Sequence, residues 1–284
     1  MHTWVSDYYK KLFGTKVYKL TFDAGCTCPT RDGSKGTRGC IFCSQSGSGE
    51  FTVPFDDANN IVPQSFKGTD TFIAYFQNFT NTYGDLARLS AKWHKALSHD
   101  SIKGLALGTR PDCLGDDVLL ELERISRDHF VQLELGFQTS NEDSGRYIRR
   151  AFSNDVYFDA VKRIHEIAPK IHVVTHVIFG LPGETQADMM NSVKAAVGAG
   201  TDGIKIMCLY VLKDTDLAAE YEQGKFKVLQ MDEYFELLRK ALALIPDSVI
   251  IHRLTGDPPK KTLIAPKWTT DKKRVMDSIK KLEQ

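Results

Sequence analysis

Long apolar runs are missing from this 284-residue chain. A membrane-spanning helix needs about 20 consecutive apolar residues, and no stretch approaches that length. The opening residues, MHTWVSDYYKKLFGTKVYKL, also lack the apolar segment of a secretory signal. A large net charge is missing too. Lysine and arginine number 37 against 36 aspartate and glutamate, leaving +1. Gross charge therefore does not announce a nucleic-acid binder, and any such role needs a local patch. There is no linker, low-complexity tract or internal repeat. Cysteine is sparse, at six residues, in a chain too long to be a disulfide-stapled mini-protein. Together these absences lead to the expectation of a cytoplasmic protein with no membrane association. In a reducing compartment, clustered cysteines are expected to hold metal or carry redox chemistry rather than form structural disulfides.

What is present supports an ordinary core: 42% of residues are apolar and 26% charged. Six β-rich apolar runs recur: VYKLTFDAG (17–25), DTFIAYFQ (70–77), IKGLALGT (102–109), FVQLELGFQ (130–138), HVVTHVIFG (172–180) and GIKIMCLYVL (203–212). Their near-continuous hydrophobicity suits parallel strands buried on both faces. Helical stripes fall between them. Residues 116–128 align Val118, Leu119, Leu122 and Ile125, and residues 155–169 align Phe158, Val161, Ile164 and Ile167. Further helices are expected at 184–200 and 231–246. Strand and helix alternating about six times predict an α/β fold with right-handed crossovers, either a barrel or a doubly wound sheet. A seventh run, SVIIHRLT (248–255), adds a strand or closes an edge. The loop at 44–69 is long and polar. From 256 the character changes: eight Lys and Arg (260, 261, 267, 272, 273, 274, 280, 281) face four acids (257, 271, 277, 283). The expected organisation is a core barrel over 1–247, with an N-terminal lead-in, and a basic C-terminal extension over 248–284.

Four of the six cysteines occupy one short loop after the first strand, as Cys26, Cys28, Cys40 and Cys43. In α/β barrels the C-terminal ends of the strands are where chemistry is assembled. Three readings compete. Four thiolates can bind structural zinc, although zinc ribbons favour two C-x2–4-C knuckles, and Cys26-x-Cys28 is not one. Cys40 and Cys43 have the spacing of a redox pair, which leaves Cys28 unexplained. Cys28, Cys40 and Cys43, spaced C-x11-C-x2-C, can instead ligate a [4Fe–4S] cluster that usually takes four thiolates. One iron would then stay open to a small molecule.

This third arrangement resembles the radical S-adenosylmethionine (SAM) superfamily. The phrases CPTRDGSKGTRGCIFC (28–43), YFQNFTNTY (75–83), LGTRPDCL (107–114), LELGFQTSNEDSGRYIRR (133–150), HVIFGLPGET (176–185), YVLKDTDLA (210–218) and HRLTGDPPKKTLIAPKW (252–268) resemble its YhcC/YtqA-type branch, related to the Elongator catalytic subunit. The resemblance implies a partial (β/α)6 TIM-like barrel with a short C-terminal extension. It implies Cys28, Cys40 and Cys43 as cluster ligands, with Cys26 a bystander, since relatives carry an aromatic at that position. SAM would bind the open iron and yield a 5′-deoxyadenosyl radical. Phe42 would lie near the adenine, which Ile178, Gly180, Gly183 and Leu209 would cup. Gln77, Asn78 and Thr109 would border the methionine end. Glu134 and Gln138, four apart on one strand face, would reach the ribose and methionine moieties. Arg110 and Lys205 are the catalytic candidates. The branch further implies a tRNA substrate, in which 5-carboxymethylaminomethyluridine becomes 5-aminomethyluridine. It also implies an electron donor such as flavodoxin or ferredoxin and a partner methyltransferase acting on the product.

Each assignment has a plainer counterpart. Gly-Leu-Pro-Gly can be a simple turn into a helix. Glu134 and Gln138 can belong to a buried polar network. Arg110 can sit in a salt bridge, and Lys205 can be solvated. Cys113 and Cys208 suit small core positions. Arg149, Arg150 and the basic tail can track phosphates or merely form a solvated face. Two further readings of the whole stay open: a radical SAM enzyme of Elongator-like or porphyrinogen-like type on another substrate, and a zinc-stabilised RNA-binding module without catalysis.

Overall fold

The computed structural model describes residues 2–55, 63 and 66–282. The chain begins with α1 (Val5–Phe13), which ends at Gly14 in the left-handed region at φ 72°. Six central strands follow: β1 (Tyr18–Asp23), β3 (Phe72–Phe76), β4 (Ile102–Thr109), β5 (Phe130–Gln138), β6 (His172–Phe179) and β7 (Gly203–Cys208). Short β2 (Val53–Pro54) pairs with β1, and β9 (Ile250–Arg253) pairs with β7. The order is β2-β1-β3-β4-β5-β6-β7-β9, and each of these pairings is parallel.

Parallel neighbours require crossovers, and helices supply them. They are α2 (Leu86–Leu97), α3 (Asp116–Ser126), the pair α4 (Glu142–Tyr147) and α5 (Asn154–Ile167), and α6 (Gln186–Gly198). After β7 the chain forms β8 (Val211–Leu212), α7 (Asp216–Glu222) and α8 (Met231–Leu242). After β9 come β10 (Leu263–Ala265), antiparallel to β8, and α9 (Lys272–Leu282).

Strand alternation divides the interior in two. Phe72, Ala74 and Phe76 of β3 join the large core beneath the helices, with Trp93, Leu119 and Leu122. Ile73 and Tyr75 face the other way and meet Tyr9 of α1 in a separate cluster. The first helix thus plugs one end of the inner face. Thr3 accepts the Ile251 amide at 2.9 Å, tying this plug to β9.

The α/β expectation of a six-unit parallel core holds, and 248–255 supplies an edge strand. Several details differ. The run 203–212 is two strands, because the Leu209 amide bonds to Phe179 O at 2.9 Å and the chain then turns to pair with β10. On α5 the inward residue is Tyr157, while Phe158 is 38% exposed. Tyr157 stacks on Phe137 at 4.1 Å and bonds to Thr175 at 2.7 Å, so a tyrosine occupies the phase expected of phenylalanine. The sequence reading named neither α1 nor α2. Part of the 44–69 loop, and residue 283, lie outside the described residues.

Candidate active site

A cavity of about 340 Å³ opens at the C-terminal ends of the strands and runs down their inner face. Its upper wall is the cysteine loop. Cys28 O accepts the Arg31 amide at 2.8 Å, and the Cys43 amide bonds to Cys40 O at 3.0 Å. Arg31 Nη2 reaches across the loop to Cys43 O at 3.1 Å and Ser44 O at 2.6 Å. Gly39 permits this closure: at φ 71°, a Cβ there would lie 2.8 Å from Arg31 Nε. The central residues are stitched to the body of the protein. The Ile41 amide bonds to Ile148 O at 3.2 Å, and Ile41 O accepts the Leu217 amide at 3.1 Å.

Cys28, Cys40 and Cys43 all face the cavity. Burial pushes Cys40 up to about 12, helped by the neighbouring Cys43 and opposed by Arg110. Burial also raises Cys43, against the pull of Arg31. Among the described residues no trio of His, Cys, Asp or Glu side chains converges to hold a single metal ion; the three thiols instead share one wall. Three thiols backed by two guanidinium groups fit an anionic cluster with three thiolate ligands. Cys26 is not on that wall; it packs, half buried, against the main core. Four-cysteine ligation therefore lacks its fourth donor.

The floor was largely missed by sequence reasoning. Glu134 is buried and its carboxylate accepts five donors. Lys19 and Gln132 bond to Oε1 at 2.6 and 2.7 Å. Tyr75, Lys205 and His176 bond to Oε2 at 2.5, 2.5 and 2.9 Å. These partners hold Glu134 well below the usual carboxylate range, against the effect of burial. Gln132 in turn accepts Tyr9 OH at 2.7 Å, linking the floor to the plug helix. The buried-network reading accounts for the Glu134 carboxylate. A signal for it was present: Lys19 and His176 are polar residues inside otherwise apolar strands.

Phe42, Gln77, Thr109, Arg110, Gln138, Ile178, Lys205 and Leu209 also line the cavity. Asn78, Gly180 and Gly183 do not. Asn78 is buried behind the wall, its Oδ1 without a hydrogen-bond partner. Gly180 lies against Leu229, and Gly183 starts the turn into α6, where Thr185 and Asp188 form a capping box. Arg110 forms a bidentate pair with Asp112, both bonds 2.9 Å, and donates to Arg150 O at 2.7 Å. Arg110 thus has the salt bridge and a place on the cavity wall at once. Gln138 reaches the cavity by a different route than parity. A bulge between Gly136 and Gln138 breaks the alternation, and Gln138 sits at φ 65°. The Arg149–Arg150 phosphate track is corrected: Arg150 is 1% exposed and bonds to Phe137 O and Thr139 O, while Arg149 pairs with Asp216. All eight cations of the tail, by contrast, are exposed.

Comparison with known proteins gives the lineage. The sequence profile of the Radical SAM superfamily matches residues 33–196, and that of the Radical_SAM C-terminal domain matches 201–284. The chain is 38% identical to YtqA of Bacillus subtilis, covering 95% of this chain and 85% of that protein. It is 34% identical to YhcC of Escherichia coli K12, covering 90% and 84%. A tRNA-2-methylthio-N(6)-dimethylallyladenosine synthase of Clostridium perfringens is 26% identical over 51% of the chain. Among solved structures, Elp3 of the archaeon Methanocaldococcus infernus superposes with a TM-score of 0.66 at 16% identity, covering 92% of this chain and 62% of that one. The chain belongs to the radical SAM superfamily, whose enzymes work with a [4Fe–4S] cluster and S-adenosylmethionine.

Proposed function

We propose that this radical SAM enzyme modifies the wobble uridine of tRNA, converting 5-carboxymethylaminomethyluridine to 5-aminomethyluridine. The observation that carries the reading is the cavity, with three thiols at its upper end and a charged, desolvated floor inside the strands. Cys28, Cys40 and Cys43 would hold the cluster, and cluster and SAM together supply the 5′-deoxyadenosyl radical that abstracts hydrogen. The chain's own contribution is to bind and orient the substrate and keep water from the radical. Arg31 and Arg110 balance the charge of the ligated thiolates. Phe42, Ile178 and Leu209 give apolar surface to a flat base or nucleoside.

The net change on the substrate is a two-electron oxidation of the glycine-derived methylene to an imine. Hydrolysis then releases a two-carbon oxo acid and leaves the amine. One hydrogen atom would pass to the 5′-carbon freed when SAM takes up one electron and loses methionine; the amine proton would go to solvent, and the second electron would return to the flavodoxin- or ferredoxin-type carrier that supplied the first. A partner methyltransferase would consume the aminomethyl product. Support for RNA comes from the tRNA named in the Clostridium relative and from the exposed cations of the tail. Nucleoside profiles of tRNA from a deletion strain test the reading. Accumulation of the carboxymethylaminomethyl form at the expense of its descendants is expected; an unchanged profile sinks the substrate assignment.

A further inference from the structure

With Lys205 protonated, the floor of the cavity carries one positive charge more than it can balance. In the strand register His176 of β6 lies beside Lys205 of β7, and Lys205 beside Arg253 of β9. All three side chains line the cavity. Arg253 pairs with Asp257, which lines the same cavity and also pairs with Lys272. One carboxylate, Glu134, is shared by two ammonium groups, Lys19 and Lys205.

The two lysines differ in position. Lys19 sits over the rings of Tyr9 and Tyr75 on the plug side, at 5.9 and 4.9 Å, and is absent from the cavity wall. Lys205 is on the wall. Among the described residues Glu134 is the oxygen partner of Lys205, so two of its three N–H donors are left for a ligand. An ammonium group in a desolvated place, sharing its one anion with another lysine, is matched by a further anion. The surplus is one charge, so the complement is a monoanion. Lys205 lies four residues below Leu209, about 13 Å down the strand at roughly 3.3 Å per residue. A group bound there lies inside the strands, away from an RNA backbone on the surface.

We propose that Lys205, beside His176, forms a subsite for a substrate carboxylate at the floor of the cavity. Resting on the tRNA reading, this group is the carboxymethyl carboxylate of the modified uridine. Its capture would hold the adjacent methylene at a fixed height beneath the radical source. Lys205 is then a positioning and specificity residue: an uncharged or already shortened side chain would lose the anchor.

The test uses the cluster-loaded, oxidised protein with SAM bound, titrated calorimetrically at pH 6, where Lys205 is protonated, with propionate and with its uncharged analogue propionamide. Wild type is expected to prefer the acid at least tenfold. Lys205→Met is expected to abolish the preference, and Lys205→Arg to retain part of it. Equal affinities in wild type overturn the proposal without recourse to any variant, as does the absence of binding by either probe at 100-millimolar order. A preference that survives Lys205→Met in protein with unchanged cluster content and melting temperature overturns it too. An acid preference that depends on Lys205, found together with unchanged tRNA nucleosides in the deletion strain, keeps the carboxylate subsite and removes the tRNA substrate. Altered nucleosides with no acid preference do the reverse.

Discussion

At the scale of single residues, the site separates three cysteines from the rest. Cys28→Ala, Cys40→Ala or Cys43→Ala is expected to remove the bound iron and the brown absorption of reconstituted protein. Cys26→Ala is expected to leave both intact, because Cys26 packs on the core away from the cavity. Iron analysis after anaerobic reconstitution checks the contrast. Lys205 gives a pH signature. Burial, with the nearby charge of Lys19 and against the pull of Glu134, pushes it down from 10.5 to about 7. Between those values the unfolded chain holds a proton that the native chain has released. Lys205 therefore contributes stability that rises with pH across that window. Lys205→Met is expected to flatten the rise, as read from urea midpoints at pH 7 to 10. That Cys28, Cys40 and Cys43 belong to one site was legible because their spacing is a local property of the sequence. The charged floor was not, because Lys19, Gln132, Glu134, His176 and Lys205 come from four strands and only their register unites them.

At the scale of elements, the near-continuous apolar runs announced the parallel strands, since burial on both faces leaves a plain compositional trace. Phase was harder to read. The bulge in β5 adds a residue between Gly136 and Gln138, and no feature of FVQLELGFQ counts that residue in advance. Gly136 accommodates the result: a Cβ there would lie 2.5 Å from Gln138 Nε2. The plug helix α1 escaped because two of its main contacts are tyrosines, residues with an apolar body and a polar tip. Tyr9 is 6% exposed and its hydroxyl serves Gln132. Tyr9→Phe keeps the ring and strands an acceptor on Gln132. A loss of about 1–2 kcal/mol is expected, measurable as a lowered denaturant midpoint with unchanged slope.

At the scale of the whole molecule, charge is nearly balanced overall and unevenly placed. The exposed cations of the C-terminal segment are the local patch that a net charge of +1 conceals. Replacing Lys272, Lys273, Lys280 and Lys281 with Gln is expected to weaken tRNA binding several-fold at low salt. It should also make that binding less salt-dependent and leave iron content unchanged. Filter binding over a range of salt concentrations reads both effects.

The tie between the first helix and the last strand of the main sheet sets an order of assembly. Thr3 is bonded to Ile251, so the last tie of α1 waits for a partner that leaves the ribosome some 250 residues later. By then all six central strands have been made, among them β5, whose Gln132 takes the Tyr9 hydroxyl. The nascent enzyme is therefore a cup whose base can be seated early and is fastened late. Its cysteine rim is fastened late as well, since Ile41 is held by Ile148 and Leu217, so both ends of the interior are closed by the later part of the chain.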